Sequence, residues 1–324
     1  MAAESAGSLA TRPLGTTGLM VHPLCIGCAP LGNMPETFTY SVAEDQALAT
    51  IRAIFAGPIN FLDTAASYGH GESERRIGIV LRELGGIPPG FVVATKADRD
   101  FETGDFSGAQ VRRSIECSLT LLGLDRLQIC YLHDPEHITF EAAMVSDGPV
   151  EALRRAKEEG LVEHIGVAGG PIAMMIRYVE TDLFEVAISH NRYTLLNQSA
   201  DRFWDACRRH GVAVVNAAPY GSGMLAKGPS SYPRYAYQDA SPELLDQARR
   251  LEAMCARYDV PLGAAALQFS LRDPRIASTV VGISKPERLA QTTALALHPI
   301  PDQLWAELAS VNPADEDPEE NRFS

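Results

Sequence analysis

The chain has 324 residues, 46% of them apolar and 21% charged, which excludes general disorder and allows either two domains or one large α/β barrel. Its 28 basic and 41 acidic residues give a formal net charge of −13 without a basic patch at domain scale, so neither nucleic acid nor an anionic membrane surface is an expected partner. No apolar run is long enough to span a membrane, the amino-terminal residues lack the pattern of a secretory signal, and the six cysteines are scattered, which together predict a cytoplasmic protein.

Eight short apolar or β-branched runs recur along the chain, as is typical of parallel strands that are covered on both faces. We predict strands over residues 23–29, 59–65, 91–96, 127–133, 164–168, 186–190, 212–218 and 278–282. Helical patterns alternate with them, and we predict helices over residues 42–56, 73–85, 107–122, 147–159, 171–180, 199–210, 241–258 and 285–296. Strand and helix alternating eight times predict an α/β fold of the (β/α)8 TIM-barrel type.

A doubly wound sheet is the alternative architecture. It would require fewer strands and a glycine-rich phosphate loop, but neither G-x-G-x-x-G nor G-x-x-x-x-G-K-[ST] occurs in the chain. We therefore expect a single barrel domain over residues 1–311. The segment 219–240, rich in Gly, Pro, Ser and Tyr, is expected to form a long loop over one mouth of the barrel, and the acidic residues 312–324 are expected to form a mobile tail.

Polar side chains stand at the carboxyl ends of three successive predicted strands, where barrel enzymes place their active sites. Asp63 ends the second apolar run, and Tyr68 follows five residues later. Lys96 ends the third run and His133 the fourth. An ammonium about 4 Å from a phenol favours the phenolate by roughly 4 kcal/mol at an effective dielectric constant of 20, although burial opposes this, so we expect an acidified tyrosine that exchanges a proton near neutral pH.

Each of these residues alone has a common structural explanation, such as a turn former for Asp63 or a rim charge for Lys96. Their joint placement favours catalysis. No side chain stores a hydride, so redox chemistry would need a cofactor. The cluster of Asp63, His133 and Asp134 lacks further ligands at metal spacing, and we expect no metal site.

The motifs around these residues resemble those of the aldo-keto reductases. Residues 61–78, FLDTAASYGHGESERRIG, are similar to that family's DTA-x-x-Y-G-x-G-x-S-E-x-x-x-G stretch, and VVATK and LQICYLHD follow in the family's order. The resemblance extends from RPLGTTGL (12–19) to SKPERL (284–289). It implies a catalytic tetrad in which Tyr68 exchanges a proton and is polarised by Lys96, which pairs with Asp63. The resemblance further implies that His133, the fourth member, orients the substrate oxygen.

The resemblance also implies a nicotinamide cofactor, either NADP or NAD. The loop PYGSGML (219–225) is similar to the family's pyrophosphate loop, and GISKPERLAQTT (282–293) is similar to its site for the adenosine 2′-phosphate. The residues expected at the dinucleotide are Gly27, Cys28, Asp63, His190, Pro219, Tyr220, Gly221, Ser222, Gly223, Leu225, Gly282, Ser284, Lys285, Arg288 and Thr292. Lys285 and Arg288 favour a 2′-phosphate, whereas Gly282 stands where many NADP-dependent members carry a basic residue.

Within the family, IGCAPLGN (26–33), RYTLLNQSA (192–200) and VVNAAPYGSG (214–223) are most similar to the aldose 1-dehydrogenase branch, of the D-threo-aldose or L-fucose dehydrogenase type. This implies NAD(P)-dependent oxidation of the anomeric hydroxyl of a free aldose, or of a similar cyclic hemiacetal, to a lactone. Two alternatives stay open, an NADPH-dependent aldehyde or ketone reductase and a nucleotide-sensing binding subunit. The sequence specifies neither the sugar nor the oligomeric state.

Overall fold

The computed structural model describes residues 9–319, in which eight parallel strands form a closed barrel. We number them in chain order as β1 Leu24–Gly27, β2 Phe61–Asp63, β3 Val92–Ala97, β4 Leu127–His133, β5 Val162–Gly169, β6 Val186–His190, β7 Ala213–Ala217 and β8 Ile276–Gly282. Each strand pairs with the next, and β8 pairs with both β7 and β1, which closes the barrel. The predicted TIM barrel and its eight strands are confirmed.

Helices surround the barrel and cover its outer apolar face. The longer ones within residues 9–319 are α1 Glu44–Phe55, α2 Glu72–Leu84, α3 Gly108–Leu122, α4 Pro149–Glu158, α5 Ile172–Val179, α6 Asp201–His210, α7 Pro242–Ala256, α8 Leu262–Arg272, α9 Glu287–Leu297 and α10 Asp302–Leu308. Short helical segments occupy Ala29–Gly32, Pro35–Phe38, Pro135–His137, Phe140–Ala143, Gly221–Gly223 and Met224–Lys227. The sequence patterns do not predict α8 or α10. Most of α8 is apolar and buried, so it lacks the polar stripe that identifies an amphipathic helix.

A short antiparallel hairpin, Arg12–Pro13 with Met20–Val21, closes the amino-terminal end of the barrel. Leu14 and Val21 of this hairpin are buried in the same cluster as the side chains that fill the barrel interior. The barrel is therefore packed at that end, and the space available for a ligand lies at the carboxyl ends of the strands. A second hairpin, Arg234–Tyr235 with Gln238–Asp239, belongs to the long segment 219–240.

The carboxyl-terminal residues up to 319 lie against the barrel, which differs from the mobile tail expected for 312–324. Ala314 pairs with Asn197 in a parallel bridge. The buried guanidinium of Arg192 contacts Asp317 at 2.6 Å and Glu319 at 2.9 Å. An acidic composition suggests a solvated tail, but here the acidic side chains neutralise a buried cation. Residues 320–324 lie outside the described residues.

Within the part of the chain that the structure describes, no helix combines the length and the apolar character needed to span a bilayer.

Candidate active site

A cleft of about 1170 Å³ opens at the carboxyl ends of the barrel strands. All eight strands contribute residues to its wall, and the long segment 219–240 covers part of its mouth. The acidic side chains that line the cleft, Asp63 and Asp134, lie beside Lys96 and His133. Lys227 and Arg288 lie near each other on another part of the wall, which we call the basic end.

Lys96 joins the residues that the sequence singles out at β2 and β3. Its Nζ donates hydrogen bonds to Asp63 Oδ1 at 2.5 Å, to the Thr64 carbonyl oxygen at 2.7 Å and to Tyr68 Oη at 3.1 Å. An ammonium has three protons, and each one has an acceptor here. Burial lowers the pKa of Lys96, but Asp63 and Tyr68 raise it by more, so the net shift is upward and the amine is cationic.

Tyr68 reaches this position because two loops pass very close to each other. Gly69 has φ +64°, and a Cβ there would lie 1.9 Å from the carbonyl oxygen of Gly32. Only glycine fits at this crossing, which fixes the backbone next to Tyr68. The phenol oxygen accepts a hydrogen bond from Lys96, so its own proton is free to point into the cleft.

The acidified tyrosine expected from the sequence is not what the structure gives. Burial raises the pKa of Tyr68, Lys96 lowers it by less, and the net shift is upward. The cost of removing a phenolate from water in the partly buried site exceeds the stabilisation by the Lys96 ammonium. With the protein side chains alone, the phenol of Tyr68 is therefore protonated at neutral pH.

The Nδ1 atom of His133 contacts the carboxylate of Asp98, a residue that the sequence patterns do not single out. Asp98 Oδ1 lies 2.7 Å from His133 Nδ1, while Asp98 Oδ2 accepts a hydrogen bond from the backbone N–H of Ser67 at 2.8 Å. The His133 ring packs edge-on against Tyr68, with 5.9 Å between centroids. Burial lowers the pKa of His133, but Asp134 and Asp98 raise it by more, which favours an imidazolium whose Nε2–H can donate into the cleft.

Most of the residues expected at a dinucleotide line the cleft: Gly27, Asp63, His190, Pro219, Tyr220, Ser222, Gly223, Gly282, Ser284, Arg288 and Thr292. Four others lie elsewhere. Cys28 is fully buried behind the cleft wall, and Leu225 is fully buried in the cluster that contains α7 and α8. Gly221 does not line the cleft but faces Tyr235, since a Cβ on Gly221 would lie 2.1 Å from the ring of Tyr235. Lys285 is exposed and outside the cleft wall.

Lys227 takes the place expected for Lys285 at the basic end of the cleft. It belongs to the short helix Met224–Lys227, and its Nζ lies 4.1 Å from the ring centroid of Tyr232. Burial and the neighbouring Arg288 both lower the pKa of Lys227. No carboxylate lines this end among the described residues, so the two cations are available to an anionic group.

The shape and the charge of the cleft fit a nicotinamide dinucleotide. One continuous space contains both the residues around Lys96, namely Asp63, Tyr68 and His133, and the basic end. The loop that lines this space contains Gly223 at φ +124°, a conformation that is open only to glycine. Lys227 and Arg288 suit phosphate groups, while Ala217, Ala168 and Gly169 leave room beside Tyr68 and His133. His190 at the end of β6 is held by Glu319, with 3.0 Å between Nε2 and Oε2.

Residues 23–313 match the model of the aldo/keto reductase family. The chain is 36% identical to D-threo-aldose 1-dehydrogenase of a Pseudomonas species, over 91% of this chain and 95% of that protein. It is 33% identical to L-galactose dehydrogenase of Arabidopsis thaliana, over 87% of this chain and 86% of that protein.

The fold also has solved counterparts. The structure of an aldo-keto reductase from Bacillus halodurans in its holo form aligns with a TM-score of 0.77 and 23% sequence identity, and the alignment covers 97% of this chain and all of that one. At that level of identity the likeness supports the barrel fold.

Proposed function

Because the chain belongs to the aldo/keto reductase family and is an oxidoreductase acting on CH–OH groups, we propose that it oxidises the anomeric hydroxyl of a free aldose to a lactone with NAD(P). The observation that carries the proposal is the contact between Lys96 Nζ and both Asp63 and Tyr68, at 2.5 Å and 3.1 Å, in the cleft that His133 also lines. A similar cyclic hemiacetal would meet the same groups.

Tyr68 exchanges the proton of the reacting oxygen. In the oxidative direction its Oη accepts the proton of the anomeric hydroxyl, and Lys96 stabilises the phenolate that this requires. Asp63 keeps the ammonium charged and in place. The His133 imidazolium donates from Nε2 to the substrate oxygen and stabilises the negative charge that develops there. A bound nicotinamide dinucleotide supplies the hydride acceptor in this direction and the hydride donor in the reverse one.

The aldose substrate is supported by the two relatives with the higher identities, both of which are named as sugar dehydrogenases. It is also supported by the polar character of the cleft around His133, where Asp134, His137 and His190 line the wall. Such groups suit hydroxyls better than an aliphatic chain.

We infer that Arg288 and Lys227 hold the phosphate groups of the dinucleotide and that NADP is bound in preference to NAD. The two cations lie near each other, and the carboxylates among the described lining residues, Asp63 and Asp134, lie beside Lys96 and His133 instead, so none accepts from a free 2′-hydroxyl there. A 2′-phosphate adds charge where the protein offers cations.

An NADPH-dependent reductase of aldehydes or ketones is the second candidate. It is favoured by the upward shift in the pKa of Tyr68, because a protonated phenol is the form that donates to a carbonyl oxygen. The same side chains would act in the opposite direction.

Initial rates decide between the two. L-fucose, L-galactose and D-threo aldoses are assayed with NAD⁺ and with NADP⁺, and a simple aldehyde is assayed with NADPH and with NADH. Turnover of a sugar with formation of a lactone is the expected result. Turnover of the aldehyde alone would assign the reductase, and tight dinucleotide binding without turnover in either assay would contradict both.

A further inference from the structure

Asp134, which directly follows His133, has an unusual backbone conformation. Its φ and ψ are 43° and 55°, in the left-handed region, and its amide donates to the Ala168 carbonyl oxygen at 2.7 Å. Aspartate and asparagine tolerate this region better than most residues. Asp134 lines the wall of the cleft beside His133, so this left-handed residue is part of the candidate site.

Among the described residues, none donates a hydrogen bond to the carboxylate of Asp134. The residue precedes the helical turn Pro135–His137 in the capping position, where an aspartate usually accepts from the backbone, yet its side chain makes no capping hydrogen bond. Between residues 9 and 319, its nearest cationic partner is His133 Nε2, at 3.7 Å from Oδ1, which is beyond hydrogen-bond range. The side chain is 37% exposed, so both oxygens can accept from a ligand in the cleft.

Among the described residues, imidazoles rather than a lysine or an arginine stabilise the charge on Asp134. Burial raises its pKa, but the imidazoles of His133, His190 and His137 lower it by more. The group is thus an ionised carboxylate, and hydrogen bonds from neutral hydroxyls to a charged acceptor are stronger than those to a neutral one.

The position of the Asp134 carboxylate relative to His133 determines which hydroxyl of a bound substrate this carboxylate can reach. In the proposed mechanism the reacting oxygen of the substrate meets His133 Nε2 and Tyr68 Oη, and Asp134 Oδ1 lies 3.7 Å from that Nε2. A group on the carbon next to the reacting carbon therefore comes closest to the carboxylate. In a cyclic aldose that group is the 2-hydroxyl, and the 3-hydroxyl follows it along the ring.

We propose that Asp134 is a specificity-determining residue, whose carboxylate accepts hydrogen bonds from the hydroxyl on the carbon adjacent to the one that is oxidised. The proposal rests on the proposed function and adds to it a requirement on the substrate. Sugars with a free 2-hydroxyl are preferred over 2-deoxy sugars and over tetrahydropyran-2-ol, a cyclic hemiacetal without ring hydroxyls.

The test compares two substrates in two proteins. L-fucose and its 2-deoxy analogue, with tetrahydropyran-2-ol as a third substrate, are assayed with wild type and with Asp134→Asn. The wild type is expected to prefer L-fucose in kcat/KM by about 10- to 100-fold, and the variant by about threefold or less, because an amide cannot replace a carboxylate as a double acceptor. Asparagine suits the left-handed backbone, and Asp134→Gly gives a second variant with the same tolerance.

Asp147→Asn is the matched control, since Asp147 also has positive φ, 61°, and its side chain is 73% exposed and paired with Arg155 away from the cleft. This variant should keep the wild-type preference. Equal losses on all three substrates in Asp134→Asn would show that Asp134 acts only through His133, which overturns the proposal while leaving the proposed function intact. Wild type that turns over none of the hemiacetals would overturn both.

Discussion

Asp98 and His133 form a buried pair, 2.7 Å between Oδ1 and Nδ1, in which the carboxylate is itself fixed by the backbone N–H of Ser67. The contact determines which ring nitrogen faces the cleft. Because Nδ1 contacts Asp98, Nε2 is the atom that points into the cleft. The negative charge of Asp98 favours the protonated form of the His133 imidazole.

Replacing Asp98 by Asn should narrow the pH range of carbonyl reduction. Asp98 is among the groups that raise the pKa of His133, so its loss lowers that pKa and the imidazolium is lost at a lower pH. The alkaline limb of kcat/KM, measured with an aldehyde and reduced dinucleotide, is expected to shift to lower pH. The exposed Asp246→Asn serves as the control. An unshifted limb with a lower rate at every pH would mean that Asp98 is only a structural support.

Tyr68→Phe should abolish most turnover while leaving the dinucleotide affinity nearly unchanged. In the proposed mechanism the phenol exchanges a proton with the reacting oxygen, and proton transfer of this kind contributes about 10² to 10⁴ in rate. Initial rates and a fluorescence titration with the dinucleotide measure the two effects. Tyr258→Phe, which removes a hydroxyl bonded to Glu307 on the outer surface, should behave as wild type. A Tyr68→Phe variant that keeps more than about a tenth of the wild-type rate would disprove the acid–base assignment.

Sugar oxidation should accelerate toward alkaline pH. Because burial raises the pKa of Tyr68 despite the opposing effect of Lys96, the phenolate that accepts the hydroxyl proton is a minor form at neutral pH, and its population grows as the pH rises. The reverse reduction uses the protonated phenol and should not gain from the same change. Rates in both directions between pH 6 and 10, with a stability control at each pH, test this expectation. An oxidation rate that falls as the pH rises would exclude Tyr68 as the proton acceptor, whereas a plateau at high pH corresponds to the loss of the His133 imidazolium.

Arg288→Ala should weaken NADP⁺ binding by about 10-fold or more and affect NAD⁺ much less, since a charge-assisted contact to one phosphate is lost. Lys285→Ala is the matched control, because Lys285 is three residues away, carries the same charge and lies outside the cleft. Dissociation constants from fluorescence titration compare the two variants. A stronger effect of Lys285→Ala than of Arg288→Ala would show that the adenosine end is bound elsewhere.

Glu319→Gln should reduce the free energy of unfolding by about 1–3 kcal/mol, because it leaves part of the charge of the buried Arg192 uncompensated. Glu316→Gln offers a control in the same segment, since the side chain of Glu316 is exposed, and it should change the stability by less than about 0.5 kcal/mol. Urea denaturation gives both values. Equal stabilities of the two variants would mean that the terminal segment adds nothing to the fold in solution.

The barrel and the cluster around Lys96 were predictable because their signals are local. Parallel strands buried on both faces leave continuous apolar runs, and the residue at the end of each run points to the mouth of the barrel. Asp63, Lys96 and His133 all occupy such ends.

The remaining features depend on how segments pack together. Asp98 lies two residues after Lys96 in the sequence. Its contact with His133 exists only in the folded chain, where β4 places His133 beside it. Whether Lys227 or Lys285 enters the cleft depends on the path of the loop after β7, which no local pattern specifies. The carboxyl-terminal contacts with Arg192 involve residues more than 120 positions apart, so their acidic composition alone suggested a solvated tail.

For the aldose substrate proposed above, the three filled hydrogen bonds of Lys96 have a further consequence, which is that they keep its amine from reacting with the sugar. Free sugars carry a small fraction of open-chain aldehyde, which condenses with neutral amines to give imines. Only an unprotonated amine has the lone pair for that attack, and Lys96 has every proton committed to an oxygen. A lysine can therefore stay beside reactive carbonyls throughout turnover without being glycated.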